Sequence, residues 1–253
     1  MSSASAAGLH ERLAALAERL EARARDLDRR KDSRAVFTHA YALMTRQISE
    51  ELPAPPGFDP AWTVSLAEAF AARYLAALDG YDRGGEVPEA WRTVFGAIGD
   101  RRTSVVEDLV FAMTAHIVRD LPHALLDVGL ADAEGRTHVH DFHAVNHALG
   151  HEIRPIVNAT SRRYGRYVKF LDRLGKPYDE IITDYGIRMS RGVAWYNAVR
   201  LQNPDETEAA AESIERSPGI VVDGVLNPPG WSLRIALRFL RWLLGFLRKW
   251  PAG

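Results

Sequence analysis

Apolar residues recur every three to four positions along most of the chain, and that spacing predicts helices. Leu13, Leu16, Leu20 and Leu27 mark a first helix from about Leu9 to Arg30, with Arg23 interrupting any coiled-coil seam. Phe37, Tyr41, Met44 and Ile48 share one face of a second, from about Arg34 to Glu50. The prolines between Pro53 and Gly57 end it, because proline lacks an N–H and its ring obstructs the preceding turn. Asp59-Pro60 then reads as an N-cap with proline in the first turn, opening a helix that carries Leu66, Phe70, Tyr74 and Leu78.

After the Gly84-Gly85 turn comes a short helix with Trp91 and Phe95. The next carries Val106, Leu109, Val110, Met113 and Ile117 and is expected to stop near Pro122. A short helix from His123 to Val128 follows, ending at Gly129. A long helix runs from about Val139 to Asn158. A connection around Tyr164 to Leu174 leads to a helix from about Tyr178 to Leu201, with Ile181, Tyr185, Trp195 and Val199 on the same face as Arg188. Asn203-Pro204 opens another helix that should end before Pro218, followed by an extended piece at Ile220–Val222 and a break at Pro228–Gly230. The last helix spans Trp231 to Trp250. No strand pattern is strong enough to build a sheet. The expected fold is an all-α, irregular multi-helix bundle. Its parts are an N-terminal helix (1–33), a helical core (34–217), a linker (218–230) and a basic amphipathic C-terminal helix (231–253).

Composition narrows the function. The formal net charge is -1, which argues against nucleic-acid binding by bulk electrostatics. Five of the 32 basic residues lie in 231–253, where there is no acidic one, so the remainder has 27 basic against 33 acidic residues. With no cysteine there are no disulfides, thiolate metal sites or cysteine nucleophiles. The first twenty residues lack the pattern of a secretory signal, and no apolar run reaches the roughly 18 residues of a membrane span. The expected location is the cytoplasm, with peripheral contact at the inner membrane face as a second option.

Several polar residues do not suit a plain core. His116 continues the apolar stripe of Leu109 and Met113, and Asp120 lies one turn on. Burying such a pair unpartnered is costly. The pair suits general acid–base chemistry or metal ligation, or Asp120 simply caps the next helix. On the long helix, Phe142, Val145, Leu149, Ile153 and Ile156 define the buried side, so His140, His143, His147 and His151 point away from the core. Asp141, Asn146 and Glu152 flank the buried side and can reach an interior pocket. Arg188 is expected to face inward and to meet Asp120 or Asp141. On the last helix Arg234, Arg238, Arg241, Arg248 and Lys249 occupy about 100° of the wheel. Trp231 and Trp242 border that arc, as on a helix lying in a membrane interface; the alternative is a terminal helix docked on the domain or on a second subunit.

At these residues the chain resembles a bacterial family of helical proteins catalogued as domain-of-unknown-function family 5995. The segments are Ala115 to Pro122, Asp141 to Asn146, Arg191 to Ala198, and Asp59 to Asp79 followed by Pro88 to Trp91. Together they cover roughly Arg34 to Leu201. The resemblance implies a helical domain with His116, Asp120, Asp141 and Asn146 as shared polar positions, and no established reaction. A fainter likeness, to helical zinc phosphoesterases, rests on His116-x-x-x-Asp120 alone.

Two readings follow. In one, the protein is a small-molecule enzyme whose His116–Asp120 centre is assisted by Asp141, Asn146 and Arg188. It works either as a metal-free lyase or cyclase, or as a hydrolase in which His116, Asp120 and Asp141 hold one zinc, iron or manganese ion. In the other, it is a non-catalytic ligand- or partner-binding protein recruited to a membrane, or paired as a homodimer, through 231–250.

Overall fold

All four leucines at 13, 16, 20 and 27 lie against the body of the protein on one side of α1 (Ser3–Arg29). The computed structural model describes residues 3–52, 55–99, 103–165, 184–246 and 248–251, and over these it is all-α. α1 turns back on α2 (Ala35–Glu50) through Lys31, which sits at φ 53. There the N–H of Asp32 closes onto the carbonyl of Leu27 at 3.0 Å, capping orphan groups of the helix end.

α3 (Pro60–Asp82) begins as expected, with the Asp59 carboxylate accepting the N–H groups of Ala61 and Trp62 at 2.9 and 3.0 Å. It turns into α4 (Glu89–Gly99) past Gly84 at φ 63. Gly80 is needed for that turn, since a Cβ there would lie 2.5 Å from the carbonyl oxygen of Glu86. α5 (Val105–Ala115) starts with a reciprocal capping box between Ser104 and Glu107.

The helix does not stop at Pro122. α5 continues through a π-helical turn, His116–Asp120, directly into α6 (Leu121–Val128), with Pro122 in the first turn of α6. Proline cannot donate to the carbonyl four residues back and would collide with it, and one widened turn accommodates both facts. α7 (Val139–Tyr164) passes Pro155, and α8 runs from Asp184 to Gln202. Ile181, most of the connection after Tyr164 and the expected start near Tyr178 lie outside the described residues.

The stretch expected to be linker from Pro218 onward, including the extended piece at Ile220–Val222, is helical as far as Leu226. α9 (Thr207–Leu226) continues through a buried Pro218, and the chain breaks only between Asn227 and Gly230, which takes φ 97. Packing along the length of α4 holds α9 helical despite the bond lost at proline. The last helix, α10, spans Trp231–Phe246.

α2 lies between α1 and α7; α3 packs on α6 and α1; α8 crosses α6, α7 and α9. The largest core cluster includes Phe37, Tyr74, Trp91, Phe95, Leu109 and Phe111, together with Leu20 and Leu27 of α1. No described helix is long and apolar enough to cross a membrane.

Candidate functional site

His116 lies at the first position of the π turn, in an aromatic cage. Phe70 of α3 stacks flat on its ring at a centroid distance of 3.5 Å and an angle of 5°. Tyr41, Phe37 and Tyr74 approach it edge-on at 4.7, 5.6 and 5.8 Å. Its Nδ1 lies 3.0 Å from Asp120 Oδ2. An ionised carboxylate can only accept, so Nδ1 carries the hydrogen and Nε2 keeps its lone pair. Nε2 is buried with no hydrogen-bond partner among the described residues. Burial lowers the imidazole pKa and Asp120 opposes that fall, which leaves the ring neutral near pH 7.

Asp120 is fully buried but well supplied with donors. The indole N–H of Trp91 donates to Oδ2 at 2.9 Å, and Arg119 Nη1 donates to Oδ1 at 3.0 Å. Arg119 also donates through Nε to Glu215 of α9 at 2.9 Å, and Glu215 accepts the N–H of Ala90 at 3.1 Å. The side chain of Asp120 does not cap α6. Its two oxygens meet Trp91, Arg119 and His116 instead.

His116 faces a cavity of about 160 Å³, walled almost entirely by apolar side chains of α2, α3, α5, α7 and α8. Met44, Ile48, Leu66, Met113, Leu149 and Ile153 are among them, and several of these are only half-buried. Arg191 of α8 brings a cationic group to the wall. Its Nε donates to Asn146 Oδ1 at 2.6 Å, its Nη2 to the carbonyl of Phe142 at 2.8 Å, and its guanidinium lies 4.1 Å over the Phe142 ring.

The expected site is thus gathered in part. Asn146 reaches it indirectly, through Arg191. Asp141 does not line the cavity. Its Oδ1 accepts the N–H of Asp59 at 2.7 Å and its Oδ2 pairs with His138 Nδ1 at 2.8 Å, tying the start of α7 to the start of α3. Trp62 completes this second cluster, stacked on His138 at 4.6 Å and 9°. The proposed metal set of His116, Asp120 and Asp141 therefore does not converge. Among the described residues no three His, Asp or Glu side chains assemble as a metal site requires.

Arg188 corrects the helix phase. It is exposed, as are Tyr185 and Val199, and the buried face of α8 is formed by Ile187, Arg191, Ala194 and Ala198. Small alanines let α8 approach α6 closely, while Tyr185 and Val199, which suggested the opposite phase, face outward and Trp195 sits half-buried at the edge of the contact, 5.2 Å from the Phe142 ring. Arg191 opens one of the segments that carried the family resemblance, and this was the available sequence signal. On α7, His140, His143 and His151 are exposed as expected; the side chain of His147 is outside the described residues.

The C-terminal basic residues divide into two groups. Arg241 makes a buried bidentate contact with Glu107 Oε1 (2.7 and 2.9 Å), and Arg248 pairs with Asp108 at 2.5 Å. Arg234, Arg238 and Lys249 are exposed.

Neither among curated proteins nor among solved structures does the chain have a match. Residues 13–228, from within α1 to just past the end of α9, match a family described as a family of unknown function, DUF5995. The chain belongs to that family.

Proposed function

We propose that the cavity binds a small, mostly apolar molecule and that His116 moves a proton to or from it as a general base. One observation carries this reading. A buried imidazole is tied at Nδ1 to a carboxylate, its other nitrogen is buried without a partner, and the residue lines an apolar cavity. Nε2 would accept the proton, and Asp120 would hold the tautomer beforehand and stabilise the imidazolium afterwards. Water exclusion by the aromatic cage strengthens that electrostatic support. The fitting reaction class is proton abstraction next to a carbonyl, as in isomerases, lyases and cyclases.

The test is deuterium uptake from heavy water into a panel of small carbonyl compounds, read by mass spectrometry. Wild-type protein is expected to catalyse exchange in at least one, and His116→Gln and Asp120→Asn to lose it. Equal rates for all three proteins would rule out the base.

A second reading concerns the membrane and has separate support. Trp231, Ile235, Phe239 and Trp242 form one exposed row on α10, bordered by exposed Arg234 and Arg238. Apolar and aromatic side chains beside arginines suit the headgroup region of an anionic bilayer. Ending the chain before α10 would strand Glu107 and Asp108 without Arg241 and Arg248, so substitution on the exposed row is the cleaner experiment. Wild-type protein is expected to float with phosphatidylglycerol vesicles, and the triple variant Trp231→Ser, Phe239→Ser, Trp242→Ser to remain in solution. Equal flotation, or a wild-type dimer that the variant abolishes, would dispose of the lipid reading.

A further inference from the structure

Three arginine residues of the described chain are buried: Arg34, Arg191 and Arg241. Arg34 is paired with Asp32 and Asp82, and Arg241 with Glu107. Arg191 has no carboxylate partner among the described residues. Its contacts are neutral: the Asn146 amide oxygen, the Phe142 carbonyl and the Phe142 ring face. A guanidinium has five N–H donors in a planar fork, and the contacts to Asn146 and Phe142 use only Nε and Nη2.

Burial alone lowers the Arg191 pKa, to about 10, so the group is still a cation at neutral pH. Its charge is felt nearby: His143 is lowered first by its own partial burial and then by Arg191. A buried, uncompensated charge is expensive to maintain, and folded chains retain one where a ligand neutralises it. Arg191 lies on the wall of the same cavity that His116 faces.

We infer that Arg191 is the anion anchor of the cavity, and that the ligand is a small apolar monocarboxylate whose acid group binds the guanidinium. The planar fork matches a carboxylate geometrically, and Asn146 with the Phe142 carbonyl fixes the fork in place. The volume matches a ligand with a ring or short chain, since a cavity of about 150 Å³ is enough for benzene. The inference deepens the proposal above, because it takes the cavity to be a ligand site. It does not depend on His116 acting as a base.

Methionine methyl NMR tests it on the full chain. Met44 and Met113 line the cavity, and Met189 lies exposed on the outer face of α8 as an internal control. The probes are benzoate and hexanoate, each titrated against its neutral counterpart, benzyl alcohol or hexanol. In wild-type protein the carboxylates should shift Met44 and Met113 at concentrations at least tenfold lower than the alcohols do, and leave Met189 in place. Arg191→Met should abolish or reverse that preference, and Arg191→Lys should keep part of it. Because the wild-type comparison stands alone, a misfolded variant does not remove the test. Alcohols binding as well as carboxylates would overturn the anion anchor while leaving the cavity as a ligand site. No shift with any of the four probes would overturn the anchor and the cavity reading together.

Discussion

His116 and Asp120 meet across a π-helical turn, with Nδ1 3.0 Å from Oδ2 and both side chains withdrawn from solvent. The turn contains one more residue than an α-helical turn would, and Pro122 comes one residue after it, where an ordinary helix would clash. Backbone irregularity and candidate chemistry therefore coincide in five residues.

Asp120→Asn should be strongly destabilising. An amide has one acceptor oxygen where the carboxylate now receives Trp91, Arg119 and His116, and the charge opposite Arg119 is lost. A loss of about 2–4 kcal/mol is expected from urea unfolding. A loss below about 0.5 kcal/mol, within the usual range of surface changes, would show that Asp120 is not the hub of this network.

Glu107→Gln should separate the C-terminal anchor from the α5 cap. Glutamine can still reach back to the Ser104 N–H, but it no longer neutralises buried Arg241. We expect about 2–4 kcal/mol of destabilisation and faster proteolysis of α10. Combining it with Arg241→Met should recover part of that loss, because the double variant leaves no unpaired buried charge. Strict additivity of the two substitutions would refute the coupling.

Filling the cavity should stabilise the empty protein and block ligands. Ala67 of α3 lines the cavity and is only half-buried. Ala67→Leu is expected to raise stability by about 1 kcal/mol, by removing void that otherwise costs ~24 cal/mol per Å³. It should also weaken the benzoate-induced shifts of Met44 and Met113. Destabilisation by more than about 1 kcal/mol would mean that the wall is already tightly packed there.

Acid should weaken the fold through buried and half-buried histidines. The His39 imidazole falls to about 4, chiefly by burial and further by Arg163, against the opposing pull of Asp28 and Glu21. In the unfolded chain it titrates near 6.5. Between those values the unfolded state holds the extra proton, so the contribution is complete above 6.5 and disappears as pH falls through 4. His116 and His123 shift in the same direction. Asp108, raised to about 6 mainly by burial, works the opposite way: its folded form binds protons more readily, so acid favours it. His39→Phe should reduce the stability lost between pH 7.5 and 4.5 by about 2–3 kcal/mol. Unchanged pH dependence would remove His39 from the acid response.

Much of this protein is local in origin and was legible from its sequence. Helix after helix follows from apolar spacing, Asp59-Pro60 caps α3 as written, and His116 and Asp120 pair because four residues separate them on one helix. Helices joined by tolerated prolines were not legible. Pro122 and Pro218 look like stops, and only packing against neighbouring helices keeps the chain helical through them.

Tertiary structure alone decided which polar groups meet. Asp141 binds the backbone of Asp59, 82 residues earlier, and so leaves the site that its helix position had suggested. α8 carries apolar residues on more than one face, which makes its phase ambiguous in isolation. Close approach to α6 and α7 selects the face with Ala194 and Ala198, and thereby turns Arg191 inward and Arg188 out to solvent. Periodicity specifies that a helix forms, because hydrogen bonding four residues apart is a local matter. The side it buries depends on the shape and chemistry of neighbours distant in sequence, and that information lies in no single segment.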